Sequence, residues 1–236
     1  MEERTLRGAM LLGEEAMERL RASHVAVFGL GGVGSWCAEA LARTGVGKLS
    51  LIDRDLVSPG NLNRQLCAIQ STLGQPKAEA MAQRLRDIVP DIELRTIQGH
   101  YEAGNRDVFF SDYDYVADAI DLVSCKTDLI ISCLQRGIPI ISALGTGNKL
   151  DAGQLRICDI SQTSGCALAR VMRRELRRRG VERHTVVFSP EQPLKPRQYE
   201  APPPGRRSVP GSLIWLPASA GLLMCQHIVT ELISDL

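Results

Sequence analysis

Residues 24–35 read HVAVFGLGGVGS. The first seven are mostly apolar, with β-branched Val25 and Val27 among them, the composition of a buried strand. From its end onward the stretch satisfies G-x-G-x-x-G through Gly29, Gly31, Gly32 and Gly34. Glycines let a backbone turn sharply and come close to a phosphate. A helix opening directly behind adds amide donors and partial positive charge. The next apolar run, 48–53, ends in Asp53, 19 residues after Gly34. A carboxylate there accepts hydrogen bonds from ribose hydroxyls. The bland alternative is a packing turn with Asp53 as a strand-end cap; the spacing and the strand–helix context outweigh it. The pair indicates an adenine nucleotide and does not choose between a dinucleotide and ATP.

Outward from this turn the chain alternates. The patterning predicts helices over 13–21, 35–44, 76–88 and 124–135, and strands over 24–30, 48–53, 92–98, 115–121 and 138–143. Such alternation implies an α/β fold, a Rossmann-like, doubly wound, mostly parallel sheet with helices on both faces. Right-handed crossovers put the strand C-termini, and so the ligand, on one edge. Beyond 150 the order loosens into a strand over 154–159, a basic helix over 166–179, a strand over 185–189 and an exposed, mobile Pro/Arg/Gly-rich loop over 190–211. A strand over 212–216 and a helix over 218–232 close the chain. The expectation is one domain over 1–236, with a nucleotide-binding half (1–150) and an irregular basic C-terminal extension (151–236).

Composition bounds the function. With 236 residues, 44% of them hydrophobic, and a net charge of +1, the chain is globular rather than disordered. Aromatics are 4%, too few for a base-stacking sheet module. The seven cysteines are odd in number and show no C-x-x-C pair, against a disulfide framework or a zinc ribbon. Reduced thiols and the charged start, MEERTLRGAM, point to the cytoplasm. Residues 208–230 lack Asp, Glu, Lys and Arg, but Pro210, Gly211, Pro217, Ser219, Gln226 and His227 interrupt them, so a buried strand and helix are expected and no membrane. Four histidines are scattered without metal-ligand spacing.

Three further elements fall on the same sheet edge: Gly60-Asn61-Leu62-Asn63-Arg64-Gln65, Pro76-Lys77 and Asp118-Ala119-Ile120-Asp121. Together they set Asn61, Arg64, Lys77 and Asp121 near the phosphates. Hydride transfer has little use for so many cations; phosphoryl or adenylyl transfer needs them, because charge builds on the leaving phosphates. Asp121 suits Mg²⁺, which favours a carboxylate beside phosphate oxygens. Singly, Arg64 and Lys77 read equally as surface charges and Asp121 as a helix cap.

This set resembles the ubiquitin-activating, ThiF/MoeB-type adenylyltransferase superfamily, which includes the molybdopterin- and thiamine-synthase adenylyltransferases. The resemblance implies that Gly29, Gly31, Gly32 and Gly34 bind ATP and that Asp53 holds ribose. It implies phosphate contacts for Asn61, Arg64 and Gln65, an adenylation site completed by Lys77 and an Asp121 closing the fourth strand, and a homodimer. It further implies an arginine finger given across that dimer, with Arg7 before Gly13 fitting best and Arg4 as the alternative. The lack of C-x-x-C pairs and of room for a catalytic-cysteine domain narrows the likeness to the bacterial tRNA threonylcarbamoyladenosine dehydratase branch. The segments 39–45 (EALARTG), 159–164 (DISQTS), 168–173 (LARVMR) and 217–221 (PASAG) carry it. The branch implies a ligase-type enzyme using ATP and Mg²⁺ to cyclise, with loss of water, a modified adenosine beside the tRNA anticodon. It also admits a sulfur-transfer or cysteine-desulfurase-type partner protein.

The basic segment is a separate signal. Residues 1–168 hold 17 Lys and Arg against 21 Asp and Glu, a net of −4, and residues 169–236 hold 11 against 6, a net of +5. Arg170, Arg173, Arg174, Arg177, Arg178, Arg179 and Arg183 face only Glu175 and Glu182, while Leu168, Val171, Met172 and Leu176 make an apolar side. The arginines are therefore expected outward, against tRNA phosphates, with Lys195, Arg197, Arg206 and Arg207 extending the charge. A merely solvated helix face is the plain alternative. Cys166, at a helix start, and Cys67 are weighed as thiol carriers against buried, inert thiols. Competing readings are an adenylyltransferase acting on the C-terminus of a ubiquitin-like sulfur carrier, an NAD-dependent oxidoreductase, and an inactive adaptor.

Overall fold

The structure, a computed structural model, describes residues 3–197, 199 and 209–236. Two short helices, α1 (Leu6–Leu12) and α2 (Glu14–Ala22), lead into β1 (His24–Phe28). There follow α3 (Gly34–Thr44), β2 (Lys48–Asp53), α4 (Lys77–Ile88), β3 (Glu93–Gln98), α5 (Arg106–Phe109), β4 (Tyr115–Asp118), α6 (Val123–Gln135) and β5 (Ile140–Ala143). The C-terminal part adds β6 (Arg156–Asp159), α7 (Ala167–Arg177), β7 (Thr185–Phe188) and α8 (Trp215–Leu232).

The seven strands form one sheet in the order β3-β2-β1-β4-β5-β7-β6. All neighbours are parallel except β6, which runs antiparallel to β7 at one edge. The chain winds outward from β1 through β2 to β3, then returns to build β4 and β5 on β1's other side. The strand order thus reverses between β1 and β4, and a crevice opens there at the strand C-termini. One apolar layer joins α2, α3, α4 and α8 to one face of the sheet. The other joins α6, α7 and an aromatic group of Phe28, Tyr101, Phe109 and Tyr113 to the opposite face. Helix α8 lies close on α3 because Gly221 has no side chain: a Cβ there would stand 2.4 Å from the Val33 carbonyl oxygen.

Several expectations need correction. Strand β1 ends at Phe28, because Gly29 and Leu30 already belong to the turn. Strand β4 stops at Asp118 rather than at 121: the Asp118 carboxylate accepts from Ile120 N at 3.0 Å and bends the chain off the sheet. Asp121 therefore lies on the turn beyond the strand. No strand occupies 212–216; the Ser212 carbonyl accepts from the Asn63 side chain, and α8 begins at Trp215 with Pro217 in its first turn, where a missing N–H costs nothing. Helix α1, with Leu6, Met10 and Leu11 exposed, was not expected. The described parts of 190–211 carry no helix or strand, but both feet are fastened. Glu191 accepts from Leu150 N at 3.0 Å and Asp151 N at 2.9 Å, and Gly211 pairs with Asn148. Arg206 and Arg207 lie outside the described residues. Among the described residues, no helix is long and apolar enough to cross a membrane.

Candidate active site

A cavity of about 430 Å³ occupies the crevice between β1 and β4. Its walls include Gly29, Gly31, Gly32, Asp53, Asn61, Arg64, Gln65, Lys77 and Asp121, so segments up to 92 residues apart in sequence converge as the motif reading expected. Gly34 is the exception. It lies below the cavity as the first residue of α3, where a Cβ would meet the Gly29 carbonyl oxygen at 1.8 Å. Its part is to let the helix start directly under the turn.

Asp53 is buried and accepts from Leu30 N at 2.6 Å and from Asp55 N at 2.8 Å. Burial pushes its pKa up, and the nearby Lys77 ammonium opposes that shift. One carboxylate thus braces the glycine turn and also faces the cavity. Lys77 opens α4 with its side chain almost wholly buried, and its Nζ donates to Asp55 Oδ2 at 3.1 Å. Arg64 donates from Nη1 to the Gly60 carbonyl and to Asn63 Oδ1, both at 2.8 Å. Partial burial pulls its pKa down, yet a guanidinium keeps its charge. Asn61 has a structural duty as well: its Oδ1 accepts from Ser58 N at 3.1 Å and closes the loop. Gln65 is buried, and its Oε1 has no hydrogen-bond partner. An orphaned polar atom in a glycine-lined wall fits a site that completes its bonding with a polar ligand.

The cavity also holds residues that the motifs did not flag: Arg54, Asp55, His100, Tyr101, Cys125, Thr146 and Ser212. Arg54 Nη1 lies 3.3 Å from His100 Nδ1, a third cationic side chain beside Arg64 and Lys77. Arg54 and Asp55 had a signal in the sequence, by adjacency to Asp53; the others come from loops and from the first turn of α6, joined by folding.

Behind the cavity is a fully buried polar chain. Lys126 Nζ donates to Asp118 Oδ2 at 2.6 Å, and both side chains are 0% exposed. Burial pulls the Lys126 pKa down while the carboxylate holds the charge in place. Ser142 Oγ donates to the same Asp118 oxygen at 2.6 Å, and His184 Nε2 lies 2.8 Å from Ser142 Oγ. Since Ser142 spends its one proton on Asp118, Nε2 must carry the imidazole hydrogen. This network fixes Asp118, and hence the 119–122 turn that brings Asp121 to the cavity.

His184 gives a pH prediction. Burial, and then the Lys126 charge, depress its pKa from 6.5 to about 3. Below pH 6.5 the unfolded chain takes up a proton that the folded chain refuses. The stability tied to this group is whole above about pH 6.5 and is lost as pH falls towards 3, by up to about 1.4 kcal/mol per pH unit. Urea midpoints measured from pH 7 to pH 4 should therefore fall more steeply in the wild type than in His184→Gln, which keeps a donor to Ser142.

The other expected residues divide. Arg7 and Arg4 do not reach the nucleotide cavity of their own chain. Arg4 pairs with Asp91 at 2.6 Å in a second cavity, beside Gly45 and Gly47 at the opposite edge of the sheet, and Arg7 is exposed on α1. On α7, Met172 and Leu176 are buried as expected, Leu168 and Val171 are only half-buried, and Ala169 joins the buried side. The arginines are less free than expected. Arg173 is held to Thr163, by its carbonyl at 2.6 Å and its hydroxyl, and Glu175 takes Arg174 and Arg178 at 3.2 Å and Arg179 at 3.0 Å. Among the described residues, no ion pair engages Arg170 or Arg177, and both are exposed. Cys166 caps α7 from a buried position, its Sγ accepting from Ala169 N at 3.5 Å. Burial pushes Cys67 up to about 11 and also raises Cys125, against a thiolate role for either at neutral pH. Among the described residues, no His, Cys, Asp and Glu cluster has the makings of a metal site by itself.

Three comparisons bear on this arrangement. The ThiF family matches over residues 3–234. The tRNA threonylcarbamoyladenosine dehydratase of Bacillus subtilis (strain 168) is 42% identical over 241 residues, covering 98% of this chain and 94% of that protein. Two solved structures of E. coli tRNA N6-threonylcarbamoyladenosine dehydratase, TcdA, one in complex with AMP and one with ATP, superpose with TM-scores of 0.90 and 0.89. Each is 33% identical and covers 99% of this chain and 95% of that one.

Proposed function

The chain belongs to the ThiF family, and on that premise we propose that it is an ATP-dependent tRNA threonylcarbamoyladenosine dehydratase. The observation that carries the proposal is the switch-point cavity, where Arg54, Arg64 and Lys77 stand around a glycine turn with Asp53 and Asp121. Gly29, Gly31 and Gly32 cradle the phosphates and Asp53 accepts from the ribose. Asn61, Arg64, Gln65 and Lys77 bind the phosphate oxygens. Gly34 supports the turn. Asp121 would hold Mg²⁺, which supplies charge neutralisation on the phosphates.

A free carboxylate is a poor electrophile, so the threonyl carboxylate of the modified adenosine is first joined to the α-phosphate, with pyrophosphate leaving. Arg64 and Lys77 stabilise the charge that gathers on the departing oxygens. The carbamoyl nitrogen then attacks the activated carbonyl, closes a ring and expels AMP. Because that step is intramolecular, holding the nucleoside in place supplies much of its rate. The protein acts in the cytoplasm as a homodimer, and Arg7 on the exposed, apolar α1 acts on the partner's site. A sulfur-transfer partner would dock without help from Cys67 or Cys125, whose thiols stay protonated.

The test is tRNA mass spectrometry before and after incubation with enzyme, ATP and Mg²⁺. Loss of 18 mass units from the modified adenosine, about one water, is expected. Unchanged tRNA together with carrier-dependent pyrophosphate exchange would move the reading to a carrier-protein substrate. NAD binding in preference to ATP would move it to an oxidoreductase, and no turnover with any acid to an adaptor.

The RNA face follows from the same proposal. Arg170 and Arg177, with no acidic partner among the described residues, are the exposed cations on α7 best placed for phosphates. The double substitution Arg170→Glu/Arg177→Glu should weaken tRNA binding about tenfold near 0.1 M salt and flatten the salt dependence by roughly two phosphate contacts. ATP affinity should be unchanged. Anisotropy titrations across a salt series check both.

A further inference from the structure

A chain of hydrogen bonds runs from the C-terminal half into the phosphate loop. It starts at Asn148, whose φ of +62° lies in the left-handed region that Asn tolerates better than most residues. Asn148 N donates to the Gly211 carbonyl at 2.8 Å, and its Oδ1 accepts from Gly211 N at 2.7 Å. Its own carbonyl accepts from Leu194 N at 2.7 Å, so one residue grips both feet of the long loop. Gly211 being fixed, so is Ser212, whose carbonyl accepts from Asn63 Nδ2 at 2.9 Å. Asn63 Oδ1 in turn accepts from Arg64 Nη1. The carboxamide cannot be reversed: its nitrogen would then face the guanidinium and its oxygen the Ser212 carbonyl, two like-with-like contacts.

We propose that Asn63 is a positioning residue for the adenylation step. It aims the Arg64 guanidinium by reference to the 211–212 segment, whose place Asn148 sets. The phosphate loop and the C-terminal half then form one register, and Arg64 is aligned only when that half is seated beside the cavity. The inference rests on the reading of Arg64 as a phosphate ligand. Asn63 is exposed, so its bonds contribute little to folding and its loss leaves a folded protein.

The experiment compares Asn63→Ala, Asn148→Gly and the double variant with the wild type. Glycine adopts the left-handed backbone readily and removes the carboxamide, and with it the acceptor for Gly211 N, while the backbone bonds to Gly211 and Leu194 remain. Each single substitution should lower kcat about tenfold, with the KM for tRNA within about threefold of wild type. The double should lose about what either single loses, because both cut the same chain. A merely structural role would lower the active fraction in all three and leave kcat per active site unchanged. Losses that multiply in the double, or an Asn63→Ala kcat within twofold of wild type, overturn the proposal. Calorimetric ATP titration of the same proteins adds a readout free of turnover. About threefold weaker binding in each single and no further loss in the double is expected, and multiplying losses overturn the coupling. Should the wild type prove inert on tRNA, the functional reading fails while this titration still decides the coupling.

Discussion

Arg64→Ala is expected to lower kcat for tRNA cyclisation by two to three orders of magnitude, about 3–4 kcal/mol of transition-state stabilisation. The guanidinium is half-buried at the cavity wall, and its resting contacts are two neutral oxygens, Gly60 O and Asn63 Oδ1. Giving up the Gly60 carbonyl for a phosphate oxygen costs little while Asn63 Oδ1 keeps the guanidinium aimed, and the charge-assisted bond gained is stronger. Since charge on the leaving oxygens grows as pyrophosphate departs, the benefit is largest in the transition state and appears in kcat more than in KM. Arg64→Lys should rescue poorly, because an ammonium lacks the planar fork. Single-turnover kinetics with ATP and modified tRNA measure the loss. A variant within threefold of wild type would remove Arg64 from the chemistry.

The second large effect is on stability. Lys126→Met should destabilise the protein by about 3–5 kcal/mol, because Asp118 is left as an uncompensated charge in the interior. Ser142 and the Ile120 amide still donate to it, but neither supplies a positive charge. For a chain of this length the corresponding fall in melting temperature is roughly 10 °C. Adding Asp118→Asn should recover a good part of the loss, since the buried charge is then gone. Urea unfolding of the two variants gives the free-energy loss and its recovery, thermal unfolding gives the fall in melting temperature, and equal instability of single and double would overturn the expectation. Nucleotide binding should weaken in parallel, as the 119–122 turn depends on Asp118.

Much of this was legible in the sequence, for identifiable reasons. The strand at 48–53 matches β2 at both ends because Gly47 opens it and the charged pair Asp53-Arg54 closes it. The glycine turn, Asp53, Arg64, Lys77 and Asp121 could be placed together because a parallel sheet brings every strand's C-terminus to one edge. Local sequence misleads where a tertiary partner decides the conformation. The run YVADAID looks like an unbroken strand until Lys126, eight residues on, draws Asp118 into the interior. The run SLIWL has strand composition, yet the Ser212 carbonyl is taken by Asn63 and leaves no ladder to join. Helix α1 has no apolar stripe buried within its own chain, so its periodicity gave no signal. The basic helix is legible from its charge count together with the helical spacing of Leu168, Val171, Met172 and Leu176. Its self-neutralisation was also legible, because Glu175 precedes Arg178 and Arg179 by three and four residues, the spacing of helical neighbours.

The insertion of β7 between β5 and β6 has a consequence for anyone trimming the gene. A fragment stopped near residue 150 would keep the nucleotide motifs but expose the β5 edge that β7 covers and strip α3 of the helix lying on it. Bare strand edges and uncovered apolar surface recruit other chains. Such a fragment should accumulate as insoluble material, so a minimal ATP-binding piece is better sought by point substitution than by shortening.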